Sequence, residues 1–97
     1  MNCLTSIDIE NLSDILNIIT QANRLQIVCL LNKNEEMCVC KIIEKLGIKQ
    51  NLASHHLNLL KNIGLLKSRR EGKNIFYSID KIFYEDLQKK VKCIFNI

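Results

Sequence analysis

Proline and tryptophan are absent from this 97-residue sequence, and glycine occurs only three times. Without proline, Gly47, Gly64 and Gly72 are the main breaks between structural elements. No apolar run approaches the roughly 20 residues that cross a bilayer, which excludes a membrane-spanning helix. The first residues contain no basic segment leading into an apolar stretch, so we expect no secretion signal, a cytoplasmic protein and no membrane partner.

Catalytic motifs are also missing. The sequence has no glycine-rich phosphate loop, and its two histidines, His55 and His56, are adjacent. A Cys–His pair is conceivable, but both histidines lie in a segment whose polar and apolar positions suit a DNA-reading helix. We therefore do not expect an enzyme.

The cysteine count and the chain length both bear on assembly. Five cysteines cannot form a complete set of intrachain disulfides, and a reducing cytoplasm keeps thiols open. A chain this short is marginal as a monomer, yet 47% of its residues are hydrophobic. We expect part of that apolar surface to close against a second copy of the chain.

The net charge of +4 is unevenly distributed. Acidic residues outnumber basic ones before Val39, whereas the segment from Lys41 to Lys73 is basic. Such asymmetry indicates a polyanion-binding face, although a merely solvated charged surface would give the same pattern.

Hydrophobic periodicity and the three glycines predict helix, helix, helix, helix, hairpin, helix within a single domain, residues 1–97. The predicted elements are helices at about 7–20, Ala22–Leu31, Glu36–Leu46, Gln50–Asn62 and 81–96, with strands at Leu66–Arg70 and Asn74–Ile79. Ser6 or Asp8 is the expected N-cap of the first helix. The fold class is mostly α with a small β-hairpin wing (α+β): a winged helix-turn-helix, with the helix-turn-helix at about 36–63 and the wing at about 66–79.

The fourth helix has the pattern of a recognition helix, with polar residues outward and apolar residues inward. Its outward residues suit base edges, since Gln and Asn pair with adenine and Ser and His add smaller contacts. These residues are Lys49, Gln50, Asn51, Ser54, His55 and Asn58. Basic residues placed for phosphate contact are Lys61, Lys67, Arg69, Arg70 and Lys73. His56 falls on the inner side, where we expect a buried, hydrogen-bonded histidine.

Five segments together resemble the ArsR/SmtB family and keep its spacing between motifs. They are Ala22–Val28, Met37–Cys40, Ala53–Leu57, Arg69–Lys73 and Phe76–Tyr77. The resemblance implies a homodimeric repressor that leaves an imperfectly palindromic double-stranded DNA operator when an inducer binds. It also implies that the first and last helices form the dimer interface, which agrees with their apolar stripes. A winged helix that binds only protein is the alternative, and strong salt dependence of duplex binding would exclude it.

Met37-Cys38-Val39-Cys40 resembles the Cys-Val-Cys box of the family's arsenite, cadmium and lead sensors, and soft thiolates select such ions. Residues two apart on an ideal helix point about 200° apart, so one ion cannot easily take both sulfurs. Binding both would strain the first turn of the third helix and so couple the ligand to DNA release.

Two thiolates do not complete such a site. Arsenite sensors often add a cysteine three positions after the second of the pair, where this sequence has Ile43. Cadmium and lead sensors borrow cysteines from an N-terminal extension of the partner, and Cys3 could serve in that way. The expected inducer is arsenite, lead or cadmium on Cys38, Cys40 and Cys3, with no obligatory cofactor. A zinc site on the last helix is not expected, since that helix has no histidine.

A second interpretation stays open at this point. Cys29 resembles the second-helix cysteine of the family's sulfide- and redox-responsive members, which pair it with a cysteine near the end of the last helix. Cys93 lies close to that place, about one turn too early. A Cys29–Cys93 bridge would make the protein a thiol redox or persulfide sensor. The third possibility is a winged helix without thiol sensing, in which Cys29 only packs in the core.

Overall fold

The computed structural model describes residues 4–96, which form five helices and three strands. In chain order these are α1 (Ser6–Ile19), α2 (Ala22–Lys33), β1 (Met37–Cys38), α3 (Val39–Leu46), α4 (Gln50–Asn62), β2 (Leu66–Glu71), β3 (Asn74–Ile79) and α5 (Lys81–Phe95). The predicted α+β winged helix is confirmed, and the bounds of α4 are those predicted. No helix within residues 4–96 combines the length and the apolar character needed to cross a bilayer.

The sheet is antiparallel, with the strand order β1-β3-β2. Strands β2 and β3 pair from Leu66 with Ile79 to Glu71 with Asn74, which leaves Gly72 and Lys73 as a two-residue hairpin loop. Gly72 has a φ of 63°, and the tight two-residue turns that suit the twist of a hairpin require a positive φ at this first loop position. The loop therefore presents Lys73 at the tip of the wing.

The segment before α3 differs from the prediction. The third helix begins at Val39 and not near Glu36, because Met37 and Cys38 form β1 and pair with Tyr77 and Phe76 of β3. Two causes favour the strand: Met37 buries its side chain in the core, and its backbone pairs with an otherwise open edge of β3. Two residues are too few for an alternating pattern to show in the sequence.

The start of α1 also differs from the prediction. Thr5, and not Ser6 or Asp8, is the N-cap. Its hydroxyl accepts a hydrogen bond from the Asp8 backbone N–H at 3.1 Å, and the Asp8 carboxylate accepts one from the Thr5 N–H at 3.2 Å. This reciprocal capping box satisfies two N–H groups that would otherwise lack helical partners.

The core lies between α2, α3, α4 and the inner face of the sheet. Its largest fully buried side chains are Ile27, Ile42, Leu57, Leu60 and Leu65. Burial of each such side chain is worth about 1.5–3 kcal/mol relative to exposure, so these residues fix how the helix-turn-helix packs on the wing.

The terminal helices leave apolar surface uncovered. No residue of α5 is buried, and its Phe83 packs against Gly64, where an added Cβ would lie 3.1 Å from the ring. The large exposed apolar side chains of α1 and α5 are Ile7, Ile9, Ile82, Ile94 and Phe95. This apolar surface lies on the two helices that the sequence assigns to a dimer interface.

Candidate nucleic-acid interface and thiol cleft

Helix α4 has one buried side and one polar side. Ala53, His56, Leu57 and Leu60 are buried against the core. The predicted base-reading and phosphate-contacting residues of this segment are on the surface: Lys49, Gln50, Asn51, His55, Asn58 and Lys61 are exposed and Ser54 is half-buried. Helix α4 therefore has the predicted apolar side toward the core and the predicted polar side on the surface, where a partner can reach it.

His56 anchors this helix from within. Only 3% of its surface is exposed, and its Nδ1 accepts a hydrogen bond from Arg24 Nε at 3.0 Å. Arg24 also donates from Nη1 to the Ile18 carbonyl oxygen at 3.0 Å, so one guanidinium joins α1, α2 and α4. Burial lowers the pKa of His56, and the charge of Arg24 and then His55 lower it further. The expectation of a buried, hydrogen-bonded histidine is confirmed, and its neutral form accepts the Arg24 bond.

The wing carries basic residues in two different settings. Lys67, Arg70 and Lys73 are exposed, and no ion pair of theirs occurs within residues 4–96. Arg69 instead forms a bidentate pair with Glu36, both N···O distances being 2.7 Å, and a further bond of 2.6 Å with Glu71. Hydrogen bonds to these two carboxylates raise the pKa of Arg69. Arg69 is exposed as well, but its positive charge is paired with two carboxylates of the same chain.

Arg69 also joins the wing to the cysteine box. Phe76 of β3 pairs with Cys38 on one side and with Arg69 on the other, and the guanidinium lies 4.6 Å from the Phe76 ring centroid. Cys38, Phe76 and Arg69 therefore form one row across the sheet. Glu36, directly before β1, forms an ion pair with Arg69 at the end of this row.

The cysteine box does not lie wholly on a helix, so the expectation of two opposed side chains on an ideal helix does not apply to it. Cys38 lies before α3 as its N-cap, and its sulfur accepts a hydrogen bond from the Cys40 N–H at 3.4 Å. The interaction between the two thiol side chains lowers the pKa of Cys38 and raises the pKa of Cys40. Both cysteines line one cavity, and Cys38 lies before the first turn of the helix.

An open cavity of about 330 Å³, here called the thiol cleft, contains both cysteines. Its thiol end is formed by Cys38 and Cys40, and its apolar wall includes Ile43, Leu57 and Ile75. The remaining side chains come from the DNA-reading helix and the wing: Gln50, Ser54, Asn58, Lys73 and Asn74, with Tyr77 beneath them. A ligand in the thiol cleft would therefore touch residues predicted to read DNA.

The thiol cleft supplies two of the ligands that a soft ion requires, Cys38 and Cys40. Two thiols line the same cavity, and thiolates are ligands that a soft metal or metalloid prefers. Within residues 4–96, no group of three or more His, Cys, Asp or Glu side chains is close enough to hold an ion. The predicted third ligand, Cys3, lies outside the described residues.

The alternative redox pair consists of Cys29 on α2 and Cys93 on α5. Cys29 is exposed and Cys93 is half-buried, so core packing does not account for Cys29.

Several residues of this region escaped the prediction from sequence. Glu36 and Asn74 lie in none of the segments that carry the family resemblance, and Arg24 and Tyr77 lie in two of those segments but had no predicted role in this region. Glu36 is 33 residues from Arg69, and Arg24 is 32 residues from His56, so only the fold brings these partners together. Asn74 could have been inferred from its place beside the wing turn.

A helix-turn-helix with a polar recognition helix, followed directly by a basic hairpin, defines a winged helix-turn-helix DNA-binding regulator. Comparison with known proteins gives the family. Residues 21–68 match the bacterial regulatory protein, arsR family. The chain is 44% identical over 72 residues to the uncharacterized HTH-type transcriptional regulator MJ1325 of Methanocaldococcus jannaschii, a match covering 73% of this chain and 81% of that protein. The chain therefore belongs to the arsR family, and it is a DNA-binding transcriptional regulator and not an enzyme.

Two further matches carry names that mention cadmium resistance in one case and a homodimer in the other. The chain is 37% identical over 79 residues to the cadmium resistance transcriptional regulatory protein CadC of Listeria innocua, covering 81% of this chain but only 66% of that one. The homodimeric winged helix-turn-helix DNA-binding domain Mb0332 of Mycobacterium bovis matches with a TM-score of 0.73 at 26% identity. That match covers 99% of this chain and 91% of the other.

Proposed function

We propose that the protein is a homodimeric repressor that binds an imperfectly palindromic operator and leaves it when a soft metal or metalloid ion binds cysteine thiolates. The observation that carries this proposal is the thiol cleft, in which Cys38 and Cys40 share one cavity with Gln50, Ser54 and Asn58 of the DNA-reading helix. A ligand on the thiols and a base pair against α4 would compete for the same side chains.

DNA is read by the polar side of α4, entering the major groove with its N-terminal end. Gln50, Asn51 and Asn58 offer amide groups that pair with adenine, while Ser54 and His55 add single hydrogen bonds. Lys49, Lys61, Lys67, Arg70 and Lys73 contact phosphates and so set affinity and salt dependence. Arg69 is assigned a different role, holding the wing to the cysteine box, because its charge is paired with Glu36 and Glu71.

A dimer supplies the second recognition helix. The exposed apolar residues of α1 and α5, among them Ile9 and Ile94, are covered by no other element within residues 4–96. The homodimeric state of the Mycobacterium bovis domain supports closing two copies over this surface. The two α4 helices would then occupy successive major grooves about 34–36 Å apart, the spacing of one DNA turn.

The inducer is a thiophilic ion, with arsenite, lead and cadmium as the candidates. Two thiols that line one cavity support this class of inducer, and the name of the Listeria innocua relative supports a metal response. Three-coordinate arsenite or lead fits Cys38, Cys40 and Cys3 better than four-coordinate cadmium does. Cys38 has a second consequence for release: it caps α3 and pairs with Phe76, so a ligand on its sulfur acts directly on the contact between the helix-turn-helix and the wing.

An anaerobic titration of fully reduced protein tests the proposal. Arsenite, lead and cadmium are added separately while thiolate-to-metal absorption and release of a labelled operator are recorded together. We expect saturable absorption and DNA release in the wild type, and loss of both in Cys38→Ser plus Cys40→Ser. The matched control, Cys29→Ser plus Cys93→Ser, should respond like the wild type. If that control loses the response instead, the protein is a sensor of the Cys29–Cys93 type, and polysulfide becomes the next reagent.

A further inference from the structure

Leu52 departs from the division of α4 into a polar outer side and an apolar inner side. It lies in the first turn of this helix, and 42% of its surface is exposed. The other leucines of α4, all within the described residues, are Leu57, Leu59 and Leu60, and each of them is buried or half-buried. A single exposed leucine is ordinary on a protein surface, so the position of Leu52, and not its exposure alone, decides what it contacts.

The neighbours of Leu52 in this turn are polar and carry the predicted contacts with base edges. Gln50 and Asn51 precede it, His55 follows three positions later, and all three are exposed. Asn51 Oδ1 accepts a hydrogen bond from the Leu52 backbone N–H at 3.0 Å, which ties the amide of Asn51 to the backbone of Leu52. Residues at the N-terminal end of a recognition helix are the ones that reach base edges in the major groove. A helix that brings Asn51 to a base therefore brings the isobutyl group of Leu52 to the same stretch of the groove.

The chemistry of the major groove identifies the partner of that isobutyl group. Base edges there present hydrogen-bond donors and acceptors, and the C5-methyl of thymine is the apolar group among them. The amides of Gln50 and Asn51 suit adenine, whose pairing partner is thymine, so an amide and a leucine can address one A·T pair. We infer that Leu52 contacts the C5-methyl of a thymine in each operator half-site and is a specificity-determining residue beside the polar ones. The inference rests on the proposed reading of DNA by α4 and is independent of the inducer.

The contact should favour thymine through burial of apolar surface, without a hydrogen bond. Burial of one methyl-sized group changes an equilibrium constant by roughly fourfold. A dimer makes the contact twice, so loss of the methyl from both half-sites should weaken operator binding by roughly 16-fold.

Deoxyuridine tests the inference directly, because it pairs as thymine does and lacks only the C5-methyl. The probe is a duplex selected from random DNA by the wild-type protein. Each thymine is replaced in turn by deoxyuridine at both symmetry-related positions, and fluorescence anisotropy gives the affinity of each duplex. We expect a thymine in the half-site at which this replacement weakens binding by the wild type roughly 16-fold, and at which it has no effect on binding by Leu52→Ala.

Two further variants serve as controls. Leu25→Ala removes a leucine that is 46% exposed on α2, outside the recognition helix, and it should show the wild-type deoxyuridine profile. Leu52→Met keeps an apolar side chain at the position, and it should retain sensitivity to the same thymine.

Three results would overturn the inference. These are a wild-type profile without any methyl-sensitive thymine, a profile that Leu52→Ala leaves unchanged, and a loss of affinity in Leu52→Ala that leaves the effect of every deoxyuridine as it is in the wild type. A selection repeated with Gln50→Ala plus Asn58→Ala separates the inference from the proposed function. An unaltered sequence preference in that variant would contradict the reading of DNA by α4. An altered preference, together with a deoxyuridine profile that does not depend on Leu52, would contradict this inference alone.

Discussion

Two neighbouring arginines of the wing should behave differently toward DNA. Arg70 is exposed and has no ion pair within residues 4–96, whereas Arg69 is held by Glu36 and Glu71. A residue that contacts phosphate releases counterions from DNA, and each contact contributes about 0.9 to the slope of log affinity against log salt. In a dimer, Arg70→Gln should therefore lower the slope by about 1.8, which corresponds to a roughly tenfold smaller loss of affinity between 50 and 200 mM salt.

The matched variant is Arg69→Gln combined with Glu36→Gln, which removes the pair without changing the net charge. Its slope should equal that of the wild type, because the charge it removes is already neutralised. Fluorescence anisotropy of a labelled operator, titrated at several salt concentrations, gives both slopes. If the double variant lowers the slope of log affinity against log salt as much as Arg70→Gln does, then Arg69 contacts phosphate. In that case the ion pair between Arg69 and Glu36 does not persist on DNA.

Three further predictions concern the core, the pH response and the dimer. Leu60→Ala should lower the free energy of unfolding by about 2–5 kcal/mol, because Leu60 is fully buried. Leu52→Ala, at an exposed position, should change that free energy by no more than about 0.5 kcal/mol. Urea denaturation measures both variants, and equal effects would contradict the burial of Leu60 in the core. The pKa of His56 is lower in the folded protein than in the unfolded chain, so its contribution to stability is present above about pH 6.5 and is lost as the pH falls below that value. Thermal unfolding from pH 7.5 to 5.5 should show this decline, and a His56→Gln variant with the same decline would rule out His56 as its cause. Ile94→Glu should weaken self-association, measured by sedimentation velocity. Gln88→Glu, at an exposed polar position of the same helix, should leave self-association unchanged. If the Ile94→Glu variant still dimerises as the wild type does, the dimer interface does not include this part of α5.

The helices and the wing could be predicted because local signals agree with the fold. Gly47 and Gly64 bracket α4, and the apolar positions of that helix repeat at helical spacing, so its bounds were predicted correctly. The hairpin followed from Gly72 between two segments of strand character. These features depend on residues close together in the chain.

The relation between Cys38 and Cys40 could not be predicted in the same way. The sequence placed both in the first turn of a helix, where their side chains would diverge. Met37 pairs with Tyr77, which lies 40 positions further along the chain. Because of this pairing, Met37 and Cys38 form a strand, and Cys38 becomes the N-cap of α3. A long-range contact thus decides the geometry of a short motif, and the same holds for the Glu36–Arg69 pair.

The dependence of operator release on the cysteine box is the central claim, and the operator affinity with and without saturating inducer tests it most directly. The measurement is made on the wild type and on Cys38→Ser plus Cys40→Ser, anaerobically, at one salt concentration. We expect inducer to weaken operator binding by the wild type by roughly tenfold or more, within the usual range of coupling between two sites, and to leave operator binding by the double variant unchanged. Equal weakening in both proteins, or none in either, would contradict the assignment of Cys38 and Cys40 as the inducer site.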